Sequence, residues 1–158
     1  MISEVYNCDC MEYMANIPDK FFDIVIADPP YRDSNSPTKW MQEKSSSKEM
    51  FLTGIPTNSF FKELKRVSKE QIIWGANNYC YPFKGFIAWD KMVRGSKRYS
   101  WVELASLSEG LGTVSTLVAI SCYSKNDKIH PTEKPVELYA WIIDTYLPKI
   151  GGVKSSTL

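Results

Sequence analysis

An α/β fold with helices on the faces of an open sheet is what this chain predicts, on three observations. Strand-like and helix-like stretches alternate along the sequence. One stretch, 21–27, is nearly all apolar, as expected of a strand buried on both faces. Two later segments, 58–68 and 135–147, carry apolar residues at helical rather than alternating spacing. At 158 residues the chain is long enough for one domain with a real core, read here as 1–150 with a tail at 151–158.

The elements follow in order. Residues 4–7 are a short strand candidate, and 9–17 a helix with Met11, Met14 and Ala15 at helical spacing, closed by Pro18-Asp19. After the apolar strand 21–27 comes a polar stretch, 32–55, with Ser45-Ser46-Ser47 at its middle and Pro37, Gly54 and Pro56 as breakers. It is expected to be a flexible insert or flap, because a loop this long inside a compact domain is either functional or disordered. The helix at 58–68 places Phe60, Phe61, Leu64 and Val67 on one side, with Thr57 or Asn58 as its cap. Strands are expected at 72–74, 86–89 and 116–122. The last helix, 135–147, starts on a well-tolerated proline, and Val136, Tyr139, Ile142, Ile143, Tyr146 and Leu147 make its buried face.

Composition narrows the function classes. Hydrophobic content of 44% and charged content of 23% are those of an ordinary globular protein. No apolar run approaches the roughly 20 residues needed to span a bilayer. Met1-Ile2-Ser3-Glu4 lacks the layout of a signal peptide, so a cytoplasmic location and no membrane partner are expected. Cys8, Cys10, Cys80 and Cys122 with the lone His130 give no zinc spacing; reduced thiols and no metal are expected. A net charge of +1 does not mark a nucleic-acid binder, yet Lys84, Lys91, Arg94, Lys97 and Arg98 face only Asp90 between 84 and 98. That cluster is either a solvated face or, with Trp89, Tyr99 and Trp101 interleaved, a backbone-tracking surface with stacking rings.

The chemistry concentrates at Asp28-Pro29-Pro30-Tyr31, where the apolar strand ends. Ligands of open α/β sheets bind where strands end at their carboxyl edge. Asp28 offers acceptor oxygens. Pro29 and Pro30 lack N–H groups, so they contribute carbonyl acceptors on a fixed path. Tyr31 offers a flat face. Two acceptors and a ring suit a planar substrate bearing an exocyclic amine, whose delocalised lone pair must be localised before it attacks. Stabilising the positive charge that develops on that nitrogen is electrostatic catalysis. The bland reading is a strand-terminating turn with an exposed acid.

ADPPY, residues 27–31, resembles the catalytic motif of S-adenosylmethionine-dependent DNA amino-methyltransferases, which methylate adenine N6 or cytosine N4. Three further stretches agree in order and spacing. NCDCMEYMANIPDKFFDIVIADPPY is similar to the family's opening, IIWGANNY with GFIAWDK and WVELA to its middle strands, and IHPTEKPVELYAWII to its His-Pro-Thr-x-Lys-Pro segment. The likeness covers nearly the whole chain, apart from 32–55, the surroundings of Gly110 and the tail.

The resemblance implies a Rossmann-like methyltransferase sheet, S-adenosylmethionine as cofactor and DNA as substrate. Asp28 and the Pro29 carbonyl would accept the amine hydrogens, Pro30 would fix the corner, and Tyr31 would stack on a flipped-out base. Asp9 and Cys10 would lie near the cofactor's adenine, with His130, Pro131, Thr132 and Lys134 near its methionine end and Asp28 between. Tyr31, Lys91, Arg94, Lys97 and Arg98 would meet DNA. His130 has an equal reading as a cap of the following helix, and Asn77 and Asn78 either border the pocket or satisfy backbone at a strand end. Asp at position 28 leans toward adenine over cytosine.

One part of the family pattern is missing. A Phe-x-Gly-x-Gly loop should follow the last helix, yet the chain reaches Ile150-Gly151-Gly152-Val153 where the next strand should start, and Gly110-Leu111-Gly112 lies elsewhere. The expected sheet is therefore partial, without its C-terminal cofactor-loop strands. Residues 4–7 would be left detached, re-paired with 21–27, or completed by a homodimer or another complementing chain. The alternative function is an inactive or truncated remnant that binds DNA or a partner.

Overall fold

The computed structural model describes residues 4–31, 54–79, 81, 84–95, 100–122 and 133–150. The readings of 32–53 and of the tail, and those of Cys80, Lys97, Arg98, His130, Pro131 and Thr132, lie outside the described residues.

Residues 4–7 form no strand, and Val5 is 94% exposed. A strand needs a neighbour to take up its backbone hydrogen bonds, and none of the described strands lies beside it. Helix α1 (Cys10–Ala15) begins where the sequence places it: Asp9 Oδ1 accepts from the backbone N–H groups of Met11 (2.8 Å) and Glu12 (3.1 Å). Its other end is held by Arg66, which donates to the carbonyls of Met14 (2.6 Å) and Ile17 (2.7 Å) and pairs with Asp19 at 2.9 Å. Orphan carbonyls at a helix C-terminus are thus met by a cation.

Strand β1 (Phe22–Ala27) and strand β2 (Ser68–Trp74) are parallel neighbours, joined through helix α2 (Asn58–Val67). Thr57 occupies the N-cap position of α2 without a side-chain bond to the helix. Helix and strand meet with no loop between them: buried Ser68 donates from Oγ to the Leu64 carbonyl (2.5 Å) and begins β2. Strands β3 (Gly85–Asp90), β4 (Val102–Leu107) and β5 (Thr116–Ala119) complete one open sheet in the order β1-β2-β4-β3-β5. The β2–β4 and β3–β4 pairs are antiparallel and β3–β5 is parallel, so β4 alone runs against the other four. β5 is shorter than the sequence pattern suggests, but the N–H groups of Ile120 and Cys122 still donate to Asp90 and Lys91.

The pleat sends alternate side chains to two cores. Val25 and Ile73 join Met14, Phe61, Leu64 and Val67 under α1 and α2. Ile24, Ile26, Ile72, Trp74, Ile87, Trp89, Ala105 and Leu107 face helix α3 (Val136–Tyr146) on the other side. On the opposite face α1 and α2 cover β1 and β2, whereas Phe86 and Ala88 of β3 are half-buried.

The buried row of α3 is Leu138, Ile142 and Tyr146, and Val136 is 67% exposed, against the expectation that Val136 faces the core. Two residues along a helix turn through about 200°, so seating Leu138 on the sheet sends Val136 to solvent. Truncating a fully buried member of this row, Ile142→Ala, is expected to cost about 2–5 kcal/mol through lost burial and the cavity left behind. The urea midpoint of unfolding measures it, with Val136→Ala as a near-neutral control.

Candidate functional site

Because four strands run the same way, the carboxyl ends of β1, β2, β3 and β5 share one edge with the start of β4. Asp28 to Tyr31 leaves β1 at this edge. Pleat parity then decides what stands beside it. Trp74, Trp89, Lys91 and Glu103 are in phase with the residues that face α3, and Lys134 lies just before that helix.

The result is a closed set of charged contacts. Lys134, with a side chain only 5% exposed, donates from Nζ to Asp28 Oδ2 (2.5 Å) and to Tyr31 Oη (3.1 Å), and lies 3.4 Å from Glu103 Oε2. Two of the three ammonium donors are thus met by hydrogen bonds, and Glu103 adds a counter-charge without one. Tyr31 in turn donates from its hydroxyl to Asp28 Oδ1 at 2.6 Å. Glu103 is also paired through Oε1 with Lys91. The Trp74 ring lies 5.2 Å and the Tyr31 ring 5.5 Å from the Lys134 ammonium, within cation–π reach.

The electrostatics follow from the geometry. Burial alone pushes the Glu103 carboxyl up, but the Lys134 and Lys91 ammonium groups outweigh it and hold it below the ordinary carboxylate range. Burial, joined by the Asp28 carboxylate, pushes the Tyr31 phenol above its usual range, so it stays a donor. Burial first, then Asp28 and Glu103, pushes Tyr139 up to about 12.

The two prolines are fixed from below. The Tyr79 hydroxyl lies 2.9 Å from the Pro29 carbonyl and 2.8 Å from that of Pro30, within reach of both for its single donor hydrogen. Each carbonyl keeps a second lone pair, so both remain acceptors. Gly75, at the end of β2, has φ +68°, and a Cβ there would stand 2.1 Å from Tyr31 Cε1. The absent side chain is what lets the ring lie down.

Of the residues singled out in the sequence, Asp28, Pro29, Pro30, Tyr31 and Lys134 are brought together. Asp9 and Cys10 are exposed at the start of α1, with Asp9 Oδ1 committed to the cap. Asn77 and Asn78 are exposed, and Asn78 Nδ2 donates to the Gly75 carbonyl, which bears out its strand-end reading. The basic segment is less free than its sequence suggests. Lys84 pairs with Glu109, Lys91 with Glu103, and Arg94 with Asp90. Two of those acids come from segments beyond the basic run. Arg94 also lies 5.6 Å from the Trp101 ring, so cation and ring do meet there.

Glu103, Gly75, Tyr79 and Trp74 were not singled out. Glu103 carried a signal, an acid standing alone in the apolar stretch Trp101 to Leu107. Gly75 between an apolar strand and Ala76-Asn77-Asn78 carried a weaker one. Among the described residues no cluster of three or more His, Cys, Asp or Glu could hold a metal ion, and no helix is long and apolar enough to cross a membrane.

Compared with known protein families and with curated protein sequences, the chain gives no significant match.

Two outcomes are expected here. Gly75→Ala should destabilise the chain by about 1–3 kcal/mol, the strain of a side chain at a left-handed backbone position, and dislodge the Tyr31 ring. Thermal unfolding and the Tyr31 ring resonances read the two effects. Arg94 holds the Asp90 carboxyl down to about 2, with help from the Met92 N–H. A depressed folded value means that its stabilising contribution is present above the unfolded value of 3.8 and lost as pH falls toward 2. Arg94→Ala should return Asp90 toward 3.8, followed by carboxyl-carbon NMR.

Proposed function

We propose that the chain is an amino-methyltransferase that moves a methyl group from S-adenosylmethionine to the exocyclic N6 of adenine in DNA. The observation that carries this reading is the convergence, at one sheet edge, of the Asp28 carboxylate, the Pro29 and Pro30 carbonyls and the Tyr31 ring. The absence of N–H groups at both prolines leaves an acceptor-only corner beside a flat face.

The roles follow from these groups. Asp28 and the Pro29 carbonyl accept the two amine hydrogens and draw the nitrogen toward tetrahedral geometry. Their negative ends stabilise the positive charge that grows on nitrogen as the new bond forms. Tyr31 stacks on the base, which leaves its duplex to reach the corner. S-adenosylmethionine, when bound, supplies an electrophilic methyl carbon. Asp9, Cys10, Asp28 and Lys134, with His130, Pro131 and Thr132 ahead of it in the chain, are the residues that would hold that cofactor. The exposed Asp9 and Cys10 have room for a ligand, and Asp9 keeps one carboxylate oxygen outside its cap. DNA would track past Lys91, Arg94, Lys97 and Arg98 toward Tyr31, with Trp101 beside Arg94 as a stacking ring.

A second reading, a member of the same class that binds but does not turn over, is favoured by one observation. Both Asp28 oxygens are already met within the chain, by Tyr31 and Lys134. A homodimer or complementing chain at β1 belongs to either reading, since β1 pairs only with β2 among the described strands.

Labelled methyl transfer to unmethylated DNA tests the proposal. Transfer by the wild-type chain and its loss by at least about 10²-fold in Asp28→Ala are expected, the size typical of removing a group that stabilises transition-state charge. No transfer at high enzyme and cofactor concentration, with micromolar cofactor binding by calorimetry, would select the second reading.

A further inference from the structure

Glu103 belongs to none of the motif stretches as a reacting group, yet among the described acids it stands between two lysines, the half-buried Lys91 and the buried Lys134. It sits opposite Trp89 in the β3–β4 register, which puts it level with the strand ends and on the α3 side. Its Oε1 is taken by Lys91 and its Oε2 faces Lys134 at 3.4 Å. Lys134 then reaches Asp28 and Tyr31, while Tyr31 closes the loop by donating to Asp28. Three side chains therefore fix one another in a ring, and Glu103 is the group that fixes the ring to the sheet.

We infer that Glu103 is a positioning residue, acting through Lys134 to set the orientation of the Asp28 carboxylate and the Tyr31 ring. The inference rests on the reading of that corner as a methyl-transfer site. Two physical points support it. A lysine this deeply buried beside Asp28 alone would bring a full positive charge next to the nitrogen on which positive charge is to develop. A second carboxylate at Glu103 offsets that cation, so the corner stays suited to a cationic transition state. Furthermore, Glu103 Oε2 stands 3.4 Å from the Lys134 ammonium as a counter-charge and has no hydrogen-bond partner of its own, so removing it takes away one of the two carboxylates that hold the ammonium on its present axis.

Lys134, also among the residues that would hold the cofactor, is here the link between Glu103 and the corner. Its ammonium donates to Asp28 and Tyr31 and has Glu103 as a second counter-charge, the nearest group being Asp28 at 2.5 Å. Lys91 plays a lesser part, holding Glu103 from the far side while its ammonium lies 5.6 Å from the Trp89 ring.

The experiment uses the full chain with Glu103→Gln, Lys134→Met and the double variant. The Tyr31 ring resonances, assigned with Tyr31→Phe, report the corner without any cofactor or substrate. Both single variants should move those resonances while distant core signals stay in place. The double variant should move them no further than Lys134→Met alone, because Glu103 acts through Lys134. In methyl transfer, Glu103→Gln should lower kcat by roughly 100-fold, the size of a loss of alignment, with KM for DNA held. Should Glu103→Gln fail to fold, Glu103→Asp keeps the charge, shortens the reach and is read in the same way. Unmoved Tyr31 resonances in a folded Glu103 variant, or effects that add in the double variant, would overturn the inference. A wild-type chain without methyl transfer overturns the reading of the reaction, and the resonance arm still decides the positioning.

Discussion

A lysine ammonium with a side chain 5% exposed has lost its water, and the carboxyl edge of this sheet is organised around how that loss is met. Desolvating one such charge costs on the order of several kcal/mol, so it persists only with close counter-charges and filled donors. Asp28 supplies one counter-charge from the end of β1, 106 residues away in sequence, and Glu103 supplies the other from the start of β4. The hydroxyl of Tyr31 accepts a second hydrogen bond from it. Three distant segments are thereby tied at one point, and the position of each depends on the other two.

That tie explains why the surrounding rings and glycine stand where they do. Tyr31 lies across Gly75 because any side chain there would collide with it, and its edge meets Tyr79 at 6.4 Å between ring centroids. Tyr79 holds the proline carbonyls from the α1–α2 side of the sheet, whereas Trp74 and Trp89 line the α3 side, packed edge to face at 6.0 Å. The corner is therefore gripped from both faces. A rigid first set of contacts is what preorganised electrostatics requires.

The β3–β4 end shows the same economy of charge. Asp90 ends β3, accepts from the Met92 N–H and pairs with Arg94 through both oxygens, and this holds Met92 at φ +57°. Lys91, between them in sequence, turns the other way to Glu103. Two cations of one basic segment thus serve opposite ends: Lys91 anchors the buried cluster and Arg94 stays 58% exposed beside Trp101.

The sequence by itself determined the local elements and the chemistry of one corner. Helical spacing marked α1 and α2, a continuous apolar run marked β1, and two prolines after an acid marked a corner built of acceptors. Each of these depends on neighbours in the chain, so pattern suffices to read them. Tertiary structure decided the rest. It left 4–7 without a partner among the described strands, turned Val136 outward and Leu138 inward, and gave the basic segment counter-charges from Glu103 and Glu109. It also brought Lys134 to Asp28 and put Gly75 beneath Tyr31. Those outcomes depend on strand order and on which face of the pleat each residue occupies, and neither is encoded in spacing along the chain.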